Sequence, residues 1–119
     1  MQNKSKTSYQ IGLYAELLSL LMLLVKGYLP IKWRFKTHCG EIDLIVKRGC
    51  TLVFVEVKKR RDQLSAGEAV SLKNQHRVRN CAQVFLLQHR EYENFNLRFD
   101  AMLVDNFSLW PKHVKNAWN

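Results

Sequence analysis

The sequence is short of acids. Ten Asp and Glu stand against nineteen Lys and Arg, for a formal net charge of +9 and a pI near 9.8. An imbalance of that size favours a polyanionic partner, nucleic acid before an anionic membrane surface. Cysteine is also scarce: three residues, Cys39, Cys50 and Cys81, lie far apart with no CxxC or Cys/His spacing. That excludes a zinc-finger type of site and a disulfide framework, and it reads as reduced thiols in a cytoplasmic protein. Long hydrophobic runs are missing too. Leu17 to Val25 is the richest stretch, bracketed by Glu16 and Lys26. It falls well short of the roughly 20 apolar residues a spanning helix needs, and no small-residue cleavage site follows it. It reads as a buried helix, with no stable membrane insertion. Repeats and low-complexity segments are absent, so the 119 residues make a single domain. Residues 1–7, polar throughout, read as a disordered end.

What is present alternates between helical and strand periods. Ser8 is placed to cap a first helix and Gly27 to stop it. Ile11, Ala15, Leu18, Met22 and Val25 form a helical stripe, but extra leucines make the second half apolar nearly all round. The C-terminal tail or a second subunit would cover the surplus. Gly12, Glu16 and Ser19 share one face, where Gly12 would let the helix approach a sheet closely. Ile31, Trp33 and Phe35 then alternate with Lys32, Arg34 and Lys36, predicting a strand with a basic outer face. After the central hairpin, a polar loop leads to a helix from about Gly67 to Arg90, with Val78, Cys81, Ala82 and Phe85 as its inner stripe. A strand over Leu97–Val104 follows. The tail, with Trp110 and Trp118, shows no convincing period.

The chemistry concentrates in Gly40–Arg60, GEIDLIVKRGCTLVFVEVKKR. Two apolar strands flank Gly49-Cys50, a two-residue turn that suits type II′. In that register residues whose numbers sum to 99 face each other, which sets Asp43 directly opposite Glu56 with Cβ atoms about 5 Å apart. Ile42, Leu44 and Val46 would share one face, and Asp43 the other. Two carboxylates so placed repel unless a cation joins them. Mg²⁺ takes one or two carboxylates, waters and phosphate oxygens, and the Val55 carbonyl is a further candidate ligand. Lys58, on the face of Glu56, would orient water or stabilise charge growing on a phosphate. A solvated charge ladder without metal is the plainer alternative, weakened by the apolar setting of both strands.

Gly40-Glu41-Ile42-Asp43-Leu44-Ile45 and Leu52-Val53-Phe54-Val55-Glu56-Val57-Lys58 closely resemble the YraN-like family of small bacterial proteins. Gly12, Ala15-Glu16, Gly27-Tyr28, Gln75, Arg77 and Arg98-Phe99-Asp100 extend the resemblance over most of the chain. That uncharacterised family is assigned to the restriction-endonuclease-like PD-(D/E)xK fold and is similar to archaeal Holliday-junction resolvases. The resemblance implies an α/β domain of order α-β-β-β-α-β, a central mixed sheet flanked by helices. It implies a Mg²⁺- or Mn²⁺-dependent endonuclease with Asp43 and Glu56 as metal ligands, Lys58 as the catalytic lysine and Glu16 as a further acid of the metal shell. Ile42 stands where the fold's usual motif has proline before the catalytic Asp. Lys59, Arg60, Arg61, Lys73, Gln75 and Arg77 are candidate nucleic-acid contacts, with DNA preferred to RNA, and a Holliday-junction substrate would require a homodimer. The alternatives are a non-catalytic nucleic-acid-binding module on the same fold and a membrane-associated or structural interaction protein.

Overall fold

The computed structural model describes residues 8–60, 70–105 and 110–118. The elements run α1 (Ser8–Val25), β1 (Leu29–Thr37), β2 (Gly40–Arg48), β3 (Thr51–Arg60), α2 (Leu72–Gln88), a 3₁₀ turn (Arg90–Tyr92), β4 (Asn96–Asp105) and β5 (Lys112–Trp118). The expected order is therefore present, with a fifth strand added by the tail. The five strands form one mixed sheet in the order β1-β2-β3-β4-β5, in which only β3 and β4 run parallel. Helix α2 lies between these two in sequence, the arrangement that a parallel crossover requires.

Both faces of the sheet are covered. On one side Leu23 of α1 and Tyr28 pack with Leu44, Val46, Val53, Val55 and Met102. On the other, Val78, Cys81, Ala82 and Phe85 of α2 pack with Ile42, Ile45, Leu52, Phe54, Ala101 and Leu103. The inner stripe read for α2 is thus the buried one. Its ring core centres on Phe85, which meets Phe35 edge-on at 5.3 Å and stacks on His89 at 4.1 Å.

Local chemistry sets the helix ends. Gly27 takes φ of +92°, its N–H donates to the Leu24 carbonyl and the Tyr28 N–H to that of Leu23. This is a Schellman stop, which needs a residue tolerant of left-handed backbone. Helix α2 starts at Leu72, later than the expected Gly67, because the Ser71 side chain accepts from the Asn74 amide and caps it there. Residues 61–69 lie outside those described.

Several packing expectations need correction. On α1 the buried positions are Ala15, Glu16, Ser19 and Leu23, whereas Val25 is 77% exposed. A Cβ added at Gly12 would meet nothing within 4 Å, so Gly12 does not serve a close approach to the sheet. Tyr14, Leu17, Leu21 and Leu24 form an exposed apolar stripe that β5 does not cover, since β5 pairs with the edge of β4. The basic outer face of β1 is also interrupted. Arg34 takes φ of +56°, and Trp33 rather than Arg34 is the more exposed of the two. Opposite this kink, Ile42 and Leu44 belong to different faces, so the alternation of β2 reverses across Asp43. Ile42 therefore does not share a face with Leu44 and Val46.

Candidate functional site

The β2–β3 register is the one that the sequence predicts. Leu44 pairs with Val55 and Arg48 with Thr51, numbers that sum to 99, around Gly49 at φ of +62°. Regular pairing ends at Leu44 and Val55. One step further, the Asp43 carboxylate takes over the role of a strand partner: its Oδ2 accepts from the Val57 amide at 2.8 Å. Glu56, only 7% exposed, lies between these residues and turns its side chain to the α2 side of the sheet. The two carboxylates share a cleft of about 410 Å³ lined by Lys36, Thr37, Gly40, Glu41, Asn74, Arg77 and Val78.

Burial dominates the electrostatics of the pair. It raises the Asp43 pKa to about 6, against the Val57 hydrogen bond that favours the anion, and Glu16 adds a smaller repulsion. For Glu56, burial and then the charge of Asp43 raise the value to about 8, while the Lys58 ammonium pulls it down. Near pH 7 the pair therefore keeps a proton. Two neighbouring acids, one half-buried and one buried, that do not both ionise at neutral pH in the bare protein are a set that a divalent cation would complete, by replacing that proton.

The other predicted residues fall unevenly. Lys58 is half-buried at the Glu56 end of β3 and is felt there electrostatically. Glu16 reaches the sheet from α1, but its Oε1 accepts from Trp33 Nε1 at 2.7 Å and from Arg34 Nε at 2.8 Å. Among the described residues no three His, Cys, Asp or Glu side chains come together as a metal-holding group, so Glu16 faces two donors rather than joining the pair. The main-chain carbonyls along β3 also differ in what they face. In an antiparallel ladder the N–H and C=O of one residue point the same way. The Val55 carbonyl therefore faces its partner Leu44, whereas that of Val57 lies on the open side where its own N–H meets Asp43.

Of the candidate nucleic-acid contacts, Arg77 lines the cleft, and Lys59 and Lys73 are exposed away from its lining. Gln75 does not face outward as a contact: its Nε2 donates to the Val70 carbonyl at 2.9 Å and ties down the entry to α2. Arg61 lies outside the described residues, and only the backbone of Arg60 is described. Sequence reasoning missed Lys36 and Asn74 as cleft residues. Their signal was position, Lys36 on the strand entering the hairpin and Asn74 one turn before Arg77.

A second polar cluster was not foreseen. Asp100, fully buried, accepts from Arg98 through both oxygens, from the Asn116 amide and from His113 Nε2 at 2.7 Å. Burial alone would raise its pKa, yet the bonds from His113 and Arg98 outweigh it and hold the carboxyl below its ordinary value. Lys26 Nζ meets His113 Nδ1 at 2.8 Å, and Arg98 Nη2 donates to the Tyr28 hydroxyl. The cluster joins the end of α1, β4 and β5. It holds structure rather than a cleft.

The molecule is thus a mixed α/β protein with a five-stranded sheet between helices and an acid pair, Glu56 buried and Asp43 half-buried, at one end of its hairpin. Residues 15–104 match the model of Uncharacterised protein family UPF0102, and the chain belongs to that family, the YraN-like proteins of the sequence resemblance. A UPF0102 protein of Nitrobacter winogradskyi is 43% identical over 112 residues, covering 94% of each chain. One from Parvibaculum lavamentivorans is 40% identical over 93% of this chain and 83% of its own, and one from Bartonella tribocorum 39% identical over 95% and 86%.

Proposed function

We propose that this chain is a Mg²⁺- or Mn²⁺-dependent endonuclease of the restriction-endonuclease-like PD-(D/E)xK class, hydrolysing DNA and suited to branched DNA. The observation that carries this reading is the pair of half-buried Asp43 and buried Glu56, which share an open cleft and have pKa values raised to about 6 and about 8. A structural pair of acids would be expected to have a cationic side chain between them. Here the cation whose charge lowers the Glu56 pKa is Lys58, along the strand from it. Asp43, Glu56 and the Val57 carbonyl would hold the ion, which supplies charge neutralisation on a phosphate oxygen and a more acidic water.

The chain's own groups account for the remaining work. Lys58 presents an ammonium to the reacting phosphate beside Glu56 and stabilises charge that grows there. Arg77 and Lys36, on opposite walls, would seat the flanking phosphates, fixing register without reading sequence. Glu16, held by Trp33 and Arg34, adds negative potential toward Asp43 and so favours a cation over a second anion. The exposed stripe of Tyr14, Leu17, Leu21 and Leu24 is the surface through which a homodimer would bring two sites to one junction. No helix among the described residues is long and apolar enough to cross a membrane, which counts against the same stripe as part of a span.

The test is a panel of linear, flapped and four-way DNA with Mg²⁺, Mn²⁺ or EDTA, run with sedimentation analysis of the same preparation. Cleavage requiring metal, reduced by about 10²-fold or more in Asp43→Ala, Glu56→Gln and Lys58→Ala, is the expected result. Salt-sensitive binding with no cutting of any substrate would assign the protein instead to a non-catalytic module on this fold.

A further inference from the structure

Thr37 Oγ1 is a meeting point for two cysteines. It accepts from the Cys39 amide at 2.9 Å and lies 3.2 Å from the Cys81 sulfur. Cys39 packs against the core cluster that contains Cys81. The chain just after Cys39 runs against the Cys81 sulfur: a Cβ at Gly40 would lie 3.7 Å from Cys81 Sγ. The two thiols differ in access. Cys39 is half-buried in the β1–β2 turn, with its sulfur 3.4 Å from His38 Nε2, while Cys81 is fully buried on α2.

From this placement we propose that Cys39 and Cys81 form a peroxide-responsive thiol pair whose disulfide staples the β1–β2 turn to α2 beside the cleft. The thiolate is the reacting species, and His38 Nε2 is placed to take the Cys39 proton. Cys39 attacks hydrogen peroxide or another hydroperoxide; an S–O bond forms, the O–O bond breaks, and water (or the alcohol) leaves. Burial raises the Cys81 thiol pKa, so its sulfur attacks the sulfenic sulfur as its proton passes to the departing hydroxyl. An S–S bond forms, the S–O bond breaks, and the hydroxyl leaves as water with the Cys81 proton. Two electrons pass from the two thiols to the peroxide. Forming the bond requires the Cys39 sulfur to turn from His38 toward Cys81, whose thiol is buried in the core cluster that Cys39 packs against.

The staple has a structural consequence at the cleft. Thr37 and Gly40 on one side, and Arg77 and Val78 on the other, line it within four residues of the two sulfurs. Linking them fixes the distance between the walls. The disulfide would link these walls whether or not the cleft cuts DNA.

The experiment uses the full chain carrying Cys50→Ser, which removes the exposed thiol that would otherwise link two copies. Protein treated with a small excess of hydrogen peroxide is unfolded, alkylated and weighed. Loss of two hydrogens, a peptide joining Cys39 to Cys81, and reversal by dithiothreitol are expected, with Cys39→Ser and Cys81→Ser each abolishing the link. The oxidised form should also unfold at a midpoint about 5 °C or more higher, because the bond closes a long loop. Oxygen uptake at Cys39 with Cys81 still free to alkylate after unfolding would overturn the pair. A bond that forms but leaves the midpoint unchanged would overturn the staple.

Discussion

A proton shared by Asp43 and Glu56 at neutral pH has a measurable stability signature. Both groups have folded pKa values raised above their ordinary ones, to about 6 and about 8, chiefly by burial. The folded chain thus binds more protons than the unfolded chain between about pH 4 and pH 8, so stability falls as pH rises through that window and levels off above it. Asp43→Asn keeps an oxygen for the Val57 amide and removes the charge; Glu56→Gln does the same for the other partner. Each should stabilise the metal-free protein at pH 8 by ~1–3 kcal/mol, with little effect at pH 4. Urea unfolding at the two pH values measures it, and equal stability of wild type and both variants at pH 8 would refute the assigned burial cost. This pair was legible in the sequence because any even-length turn keeps both carboxylates on one face, and a two-residue turn with glycine first sets them opposite each other. The partners of Glu16 were not legible. They depend on the left-handed backbone at Arg34, a non-glycine conformation that no alternation pattern announces.

Among the elements, β5 is held by a single side chain as much as by its ladder. Its pairing with β4 shifts register between Phe99 and Ala101, where Asp100 reaches across to the Asn116 amide and to His113. Asp100→Ala would strand the Arg98 charge, the His113 N–H and that amide. A loss of ~3–5 kcal/mol is expected, the scale seen when one member of a buried charge pair is removed. Hydrogen exchange should show residues 112–118 opening first, ahead of β2 and β3, and a uniform loss across the sheet would count against this local role. The irregularity also explains why the tail looked patternless. A bulge and a left-handed Asn116, with φ of +53°, break the two-residue period over only seven residues. Helix α1 hid its inner face for the opposite reason: leucines on every side leave periodicity nothing to distinguish, and only contact with the sheet selects Ala15, Ser19 and Leu23. The inner stripe of α2 was readable because its other faces are polar: Lys73 and Asn80 are exposed, and Arg77 borders the cleft.

At the scale of the whole molecule, the excess of nine positive charges and the acid pair act in opposition. With the proposed nuclease function, the long-range field would draw DNA in, while the cleft floor would repel it until a cation or proton neutralises Asp43 and Glu56. DNA binding measured in EDTA should therefore be weaker at pH 8.5 than at pH 6, and should recover with Ca²⁺ or Mg²⁺. It should also fall steeply with salt, because each phosphate neutralised releases condensed counterions. Arg77 and Lys36 are exposed rim residues on opposite walls, so replacing either with alanine should lessen the slope of log K against log salt by about 0.9 for duplex DNA. Lys73→Ala, exposed on α2 but off the cleft lining, serves as the matched control with a smaller change. Titrations at four salt concentrations separate the cases. Equal slopes for wild type, Arg77→Ala and Lys36→Ala, with Lys73→Ala alone reduced, would move the DNA path off the cleft and onto the outer face of α2.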